Sequence, residues 1–122
     1  MSGLLLDTHI LLWYFQDNPD LKLETSNLLE NPNNALYINI VSLWEIAIMI
    51  NIGKLNIEWT LQDLLALLRQ FSIEILPLTP VDLQFYLTLP LHHRDPFDRI
   101  LVAQANNNSL VLISYDKIFN LF

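Results

Sequence analysis

The chain contains no cysteine and only two glycines, Gly3 and Gly53. Disulfides and thiolate chemistry are therefore excluded, and a cytoplasmic address is expected in place of an oxidising compartment. Cations are scarce as well: six Lys and Arg stand against thirteen Asp and Glu, for a net charge of −7. A broad basic surface of the kind that grips duplex DNA is excluded. A local nucleic-acid site remains possible if acids converge on a divalent ion, because the ion is then the largest charge present. Long apolar runs are also missing. Stretches such as Ile10 to Phe15 break off far short of the roughly 18 to 20 residues a membrane span requires, so none is expected. The N-terminus lacks a basic leader and Asp7 interrupts its first apolar stretch, so no secretory signal is expected. No repeat, low-complexity tract or Pro/Gly/Ser-rich linker divides the chain.

What is present is hydrophobic. Of 122 residues 52% are hydrophobic and only 16% are charged, the composition of a folding chain with one core, read as a single domain over 1–122. Leu4 to Leu6 reads as a short strand ending at Asp7, followed by a helix from Thr8 to Gln16 and another over about Leu21 to Glu30. Ala35 to Ile38 reads as a second strand. The segment from Leu43 to Ile52 is apolar around almost its whole circumference, which marks a buried or interface helix, and Gly53 can stop it as a left-handed cap. Thr60 begins a helix to about Phe71, Ile73 to Leu76 forms a third strand, and Pro80 opens a helix that Pro90 ends. Pro96 opens another to about Asn107, leading into the strand Leu110 to Ile113 and a last turn at Asp116. Short, continuously apolar strands alternating with helices predict an α/β fold, a parallel sheet covered on both faces. Ligands of such sheets bind beyond the carboxyl ends of the strands, where the strand order reverses. Asp7 and Asp116 stand just past two of those ends.

Each notable acid has a structural explanation too. Asp7 can cap the helix at Thr8, Ser42-Leu43-Trp44-Glu45 has the form of a capping box, Asp95-Pro96 is a cap followed by proline, and Asp116 can cap the final turn. Other features favour a site. Glu45 is the only charged residue on its apolar helix, where a carboxylate must be paired, hydrogen-bonded or on a metal; a cationic partner from elsewhere in the chain is expected. Asp95 satisfies its helix start, which leaves Asp98 as the better ligand candidate. Two carboxylates about 5 Å apart repel by about 3 kcal/mol at an effective dielectric constant near 20. Four gathered together need protonation or a hard divalent cation. With no cysteine and no His pair at i, i+4, the donors favour Mg²⁺ or Mn²⁺ over zinc.

The segments Leu4-Leu5-Leu6-Asp7-Thr8-His9, Ser42-Leu43-Trp44-Glu45-Ile46, His93-Arg94-Asp95-Pro96-Phe97-Asp98-Arg99 and Leu112-Ile113-Ser114-Tyr115-Asp116 occur in this order over nearly the whole chain. The pattern resembles a PIN-domain protein of the VapC toxin type. The resemblance implies a three-layer α/β/α sandwich with a short parallel sheet, and a metal-dependent ribonuclease whose acidic quartet falls on Asp7, Glu45, Asp98 and Asp116. It further implies hydroxyls at Thr8 and Ser114 that help hold the acids, a homodimer, and a cognate antitoxin that covers the groove. Many relatives continue into one more short strand, and the early end at Phe122 suggests that a fifth strand is missing.

On this reading Asp7, Asp98 and Asp116 bind one or two Mg²⁺ or Mn²⁺, and Glu45 positions or deprotonates the attacking water, leaving 5′ phosphate and 3′ hydroxyl ends on the RNA. Arg94 and Arg99 are the first candidates for phosphate contact, with a surface ion pair as their structural explanation. His92 and His93 read as exposed loop residues and His9 as a packed helix residue. Trp13, Tyr14, Phe15, Trp44 and Trp59 read as core and interface in preference to a base-stacking platform. A catalytically idle PIN-like binding module is the alternative. An aspartyl-phosphate phosphohydrolase ranks third, because its first strand usually ends Asp-x-Asp where this one ends Asp7-Thr8-His9.

Overall fold

Leu4, Leu5 and Leu6 alternate across the first strand as the two-residue period of a strand demands. Leu4 and Leu6 pack with Ile10, Leu36, Ile38 and Ile46 on one face, and Leu5 packs with Leu101, Val102 and Leu112 on the other. That double burial makes β1 (Ser2–Leu6) the centre of the sheet. The structure is a computed structural model that describes residues 2–55, 59–90, 96–114 and 118–119, of which 2, 118 and 119 by backbone alone. Around β1 lie α1 (Thr8–Gln16), α2 (Leu23–Glu30), β2 (Asn34–Asn39), α3 (Ile40–Asn51), α4 (Leu61–Gln70), β3 (Ile73–Leu76), α5 (Pro80–Thr88), α6 (Pro96–Asn108), β4 (Val111–Ile113) and β5 (Ile118–Phe119).

The sheet order is β3-β2-β1-β4-β5. Leu6 stands beside Ile38 and Ile113, and Ile38 beside Ile75, all in parallel register. Residues of α1 to α4 share the core on one face, while α5 and α6 cover the other, which gives the three expected layers. One departure concerns the last strand: β5 is present and pairs antiparallel to β4, Leu112 beside Phe119. The fifth strand expected to be missing is thus within the chain, formed by a return after β4.

Helix starts follow local chemistry. Thr60 and Asp63 form a reciprocal capping box at α4, as do Thr79 and Asp82 at α5, where Pro80 occupies the first helical position. The start of α3 corrects the sequence reading. Ser42 lies inside the helix, and the cap is Asn39, whose side chain accepts from the Val41 N–H at 2.6 Å. The helix therefore begins directly off β2, and the Ser42-to-Glu45 spacing only imitates a capping box. Gly53, at φ 70°, ends α3 as expected: its N–H reaches the Ile50 carbonyl and that of Lys54 the Met49 carbonyl, the pairing of a Schellman cap. Among the described residues no helix is long and apolar enough to cross a membrane.

Candidate active site

β2 and β3 are laid down to one side of β1, and β4 to the other. The strand order thus reverses between β1 and β4, the place where open α/β sheets bind ligands. Asp7 emerges there. Its backbone N–H donates to the Ile113 carbonyl at 3.0 Å, which fixes it to the end of β4. Its carboxylate Oδ1 caps α1 by accepting from the Ile10 N–H at 2.9 Å, so one oxygen anchors the residue against the positive end of a helix dipole. Asp7 is 8% exposed.

A cleft of about 240 Å³ opens at this point. Its lining includes Asp7 and Thr8 from the β1–α1 junction, Glu45 from α3 and Asp98 from α6. Asp98 lies in the first turn of α6 and is exposed. The buried Thr8 hydroxyl donates to Glu45 Oε1 at 2.6 Å, a charge-assisted bond when Glu45 is ionised. This replaces the cationic partner expected for Glu45: among the described residues its partner is a hydroxyl. Three of the four acids singled out in the sequence therefore share one cleft, although they lie 38 and 53 positions apart along the chain. Asp116 lies outside the described residues, as do Arg94, Asp95, His92 and His93. Ser114 directly follows β4 and is half-buried.

The anionic donors of this cleft, Asp7, Glu45 and Asp98, are all carboxylates, which suit a hard divalent cation such as Mg²⁺ or Mn²⁺. Among the described residues no three His, Asp or Glu side chains close into a metal-holding group; Asp7, Glu45 and Asp98 line the cleft without gathering that tightly.

Two expectations about neighbouring residues are overturned. Arg99 is buried at 8% exposure; its guanidinium donates to the Pro90 carbonyl at 2.7 Å and the Tyr86 carbonyl at 3.4 Å, and lies 4.6 Å over the Tyr86 ring. It fastens α6 to α5 and is removed from the role of phosphate contact. His9 is exposed and lines the cleft, where a packed helix residue was expected; its position directly after Asp7 was the available signal. The aromatic residues divide. Phe15 stands with Trp59 and Phe71, and Tyr14 with Phe71, under the core. Trp44 is 59% exposed and leans on Phe97 of the cleft at 5.7 Å between ring centroids.

Comparison with known proteins agrees with this architecture. The PIN-domain family model matches residues 4–121. A crystal structure of VapBC2 from Rickettsia felis bound to a DNA fragment from its promoter contains a chain that superposes with a TM-score of 0.68 at 18% identity, covering 93% of this chain and 87% of that one. A toxin-antitoxin complex from Klebsiella pneumoniae gives a TM-score of 0.59 at 21% identity, covering 90% and 83%. No curated protein matches the chain.

Proposed function

We propose that this chain, which belongs to the PIN-domain family, is a metal-dependent endoribonuclease of the VapC toxin type. The observation that carries the reading is the meeting of Asp7, Glu45 and Asp98 in one cleft at the point where the strand order reverses. On this reading Asp7 and Asp98, together with Asp116, would hold one or two Mg²⁺ or Mn²⁺. The ion, when bound, lowers the pKa of water, draws the anionic phosphodiester to an acidic protein and stabilises charge on the leaving 3′ oxygen. Everything else falls to the chain. Asp7 is held rigid by the Ile10 N–H. Thr8 aims Glu45 from one oxygen, which leaves the other to take a proton from the attacking water, so that Glu45 acts as general base. Products carry 5′ phosphate and 3′ hydroxyl ends.

The comparison structures are toxin-antitoxin complexes, and the surface of α3 supports a partner of that kind here. Ile40, Trp44, Ile48 and Ile52 recur every fourth residue and are 43%, 59%, 39% and 56% exposed, an apolar stripe along one face of the helix. An antitoxin seated on this stripe would also overlie the cleft beside Trp44, and a second copy of the chain is the other partner the reading includes. The same reading puts the protein in the cytoplasm with its RNA.

The test is cleavage of a labelled single-stranded RNA with Mn²⁺ added or chelated. The parent should cut only with the ion present, and Asp98→Asn should lose at least a hundredfold in rate while keeping the parent's melting temperature. Equal cleavage by parent and variant overturns the assignment. A parent that binds neither Mn²⁺ nor RNA but captures the antitoxin would favour the idle binding module.

A further inference from the structure

The helices that carry Glu45 and Asp98 are also tied by a chain of polar side chains that the proposed chemistry leaves without a role. Asn39 is fully buried at the end of β2 and Gln104 is 1% exposed in the middle of α6. The Asn39 amide donates to Gln104 Oε1 at 2.5 Å. Gln104 in turn donates through Nε2 to the Pro77 carbonyl at 3.1 Å and to Asp82 Oδ2 at 3.2 Å. Asp82, itself 1% exposed, also accepts from Asn107 and from the Thr79 N–H. Three buried polar side chains, Asn39, Gln104 and Asp82, are costly to retain unless every bond is made, and no buried side-chain nitrogen or oxygen among the described residues lacks a partner.

The position of the first bond matters. Asn39 caps α3 on one face of the sheet while its amide reaches α6 on the other. Those two helices carry Glu45 and Asp98. Each acid lies six residues from its end of the bond, about 9 Å along a helix at 1.5 Å per residue. With α3 leaving Asn39 toward the cleft and α6 leaving the cleft toward Gln104, one contact at 39 and 104 sets where 45 stands against 98. We propose that Asn39 and Gln104 are positioning residues, a latch across the carboxyl edge of the sheet that sets the spacing of Glu45 and Asp98 and thereby the affinity of the cleft for its divalent ion. This rests on the metal-dependent reading above and deepens it.

The test is Mn²⁺ titration of the full chain by calorimetry, with thermal unfolding alongside. Asn39→Ser keeps a good helix cap but is too short to reach Gln104. It should weaken Mn²⁺ binding by about tenfold, the lower range seen when groups that orient metal ligands are removed. Asn107→Ala loses a bond to the same Asp82 without touching α3 and should stay within about twofold of the parent, although both variants melt lower. Gln104→Ala, which also removes the bonds to Pro77 and Asp82, should weaken Mn²⁺ binding at least as much, and adding Asn39→Ser to it should cost no further affinity, since the bond between 39 and 104 is then already broken. Parent-like affinity in Asn39→Ser, or an equal loss in Asn107→Ala, overturns the latch while leaving the nuclease reading intact. A parent whose Mn²⁺ binding equals that of Asp7→Asn overturns the nuclease reading and the latch with it.

Discussion

Asp7 caps a helix and, on the proposed function, also binds the ion, two tasks that a substitution can pull apart. As the cap of α1 it needs only an acceptor for the Ile10 N–H, and Asn serves there as well as Asp. As the proposed ligand of a divalent ion it would need charge. Asp7→Asn should therefore keep stability within about 0.5 kcal/mol and lose cleavage, whereas Asp7→Ala should lose cleavage and also about 1 kcal/mol of stability; urea melts of both variants check the split. Tyr14 makes a different prediction. Burial, and secondarily the Glu30 charge, raise its hydroxyl above the usual 10.0. Because the folded value exceeds the unfolded one, its contribution is intact below the unfolded value and is lost as pH rises toward the folded value. Denaturation midpoints across that alkaline range should fall further for the parent than for Tyr14→Phe, and parallel curves would contradict the assignment.

Among the elements, those with conventional punctuation are legible in the sequence. Thr60, Pro80 and Gly53 each mark an end that the structure keeps. Gly53 lies at φ 70° with no atom within 4 Å of the point a Cβ would occupy, so the strain of Gly53→Ala is purely backbone and should cost about 1 kcal/mol, a drop of a few degrees in melting temperature. The start of α3 escapes a sequence reading for a physical reason. A capping box is judged by residue spacing, and Ser42 with Glu45 has that spacing, but Asn39 at the last position of β2 has already turned the chain. The buried latch is illegible for a related reason. Asn39, Asp82 and Gln104 are residue types that usually face solvent, and only three-dimensional pairing shows that they bond one another. Arg99 misleads because a cation next to an acidic cluster looks like a phosphate contact, whereas the carbonyls of Pro90 and Tyr86 that hold it are invisible to side-chain patterns.

At the scale of the molecule, the α/β class and the carboxyl-edge location of the cleft follow from short apolar strands alternating with helices, because burial on both faces permits little else. The antiparallel return of β5 does not, since two residues carry no period. The apolar stripe on α3 is the molecular feature most exposed to test. Ile48 is 39% exposed, so Ile48→Lys removes little packing within the chain and should leave its melting temperature within a few degrees. It should weaken association with the proposed antitoxin or second copy by at least tenfold, read by light scattering of the chain alone and of the mixture. Unchanged association in both would move the interface elsewhere.

The strand order also has a consequence for how the protein is made. β1 is synthesised first, yet its neighbour β4 comes from positions 111–113, and Asp98 arrives on α6 just before it. A nascent polypeptide still tethered to the ribosome, or one abandoned early, carries Asp7 and Glu45 without the strand that seats the one or the acid that faces the other. The cleft therefore assembles late: the acid at 98 and the strand at 111–113 must both have been made before Asp7 is seated beside them.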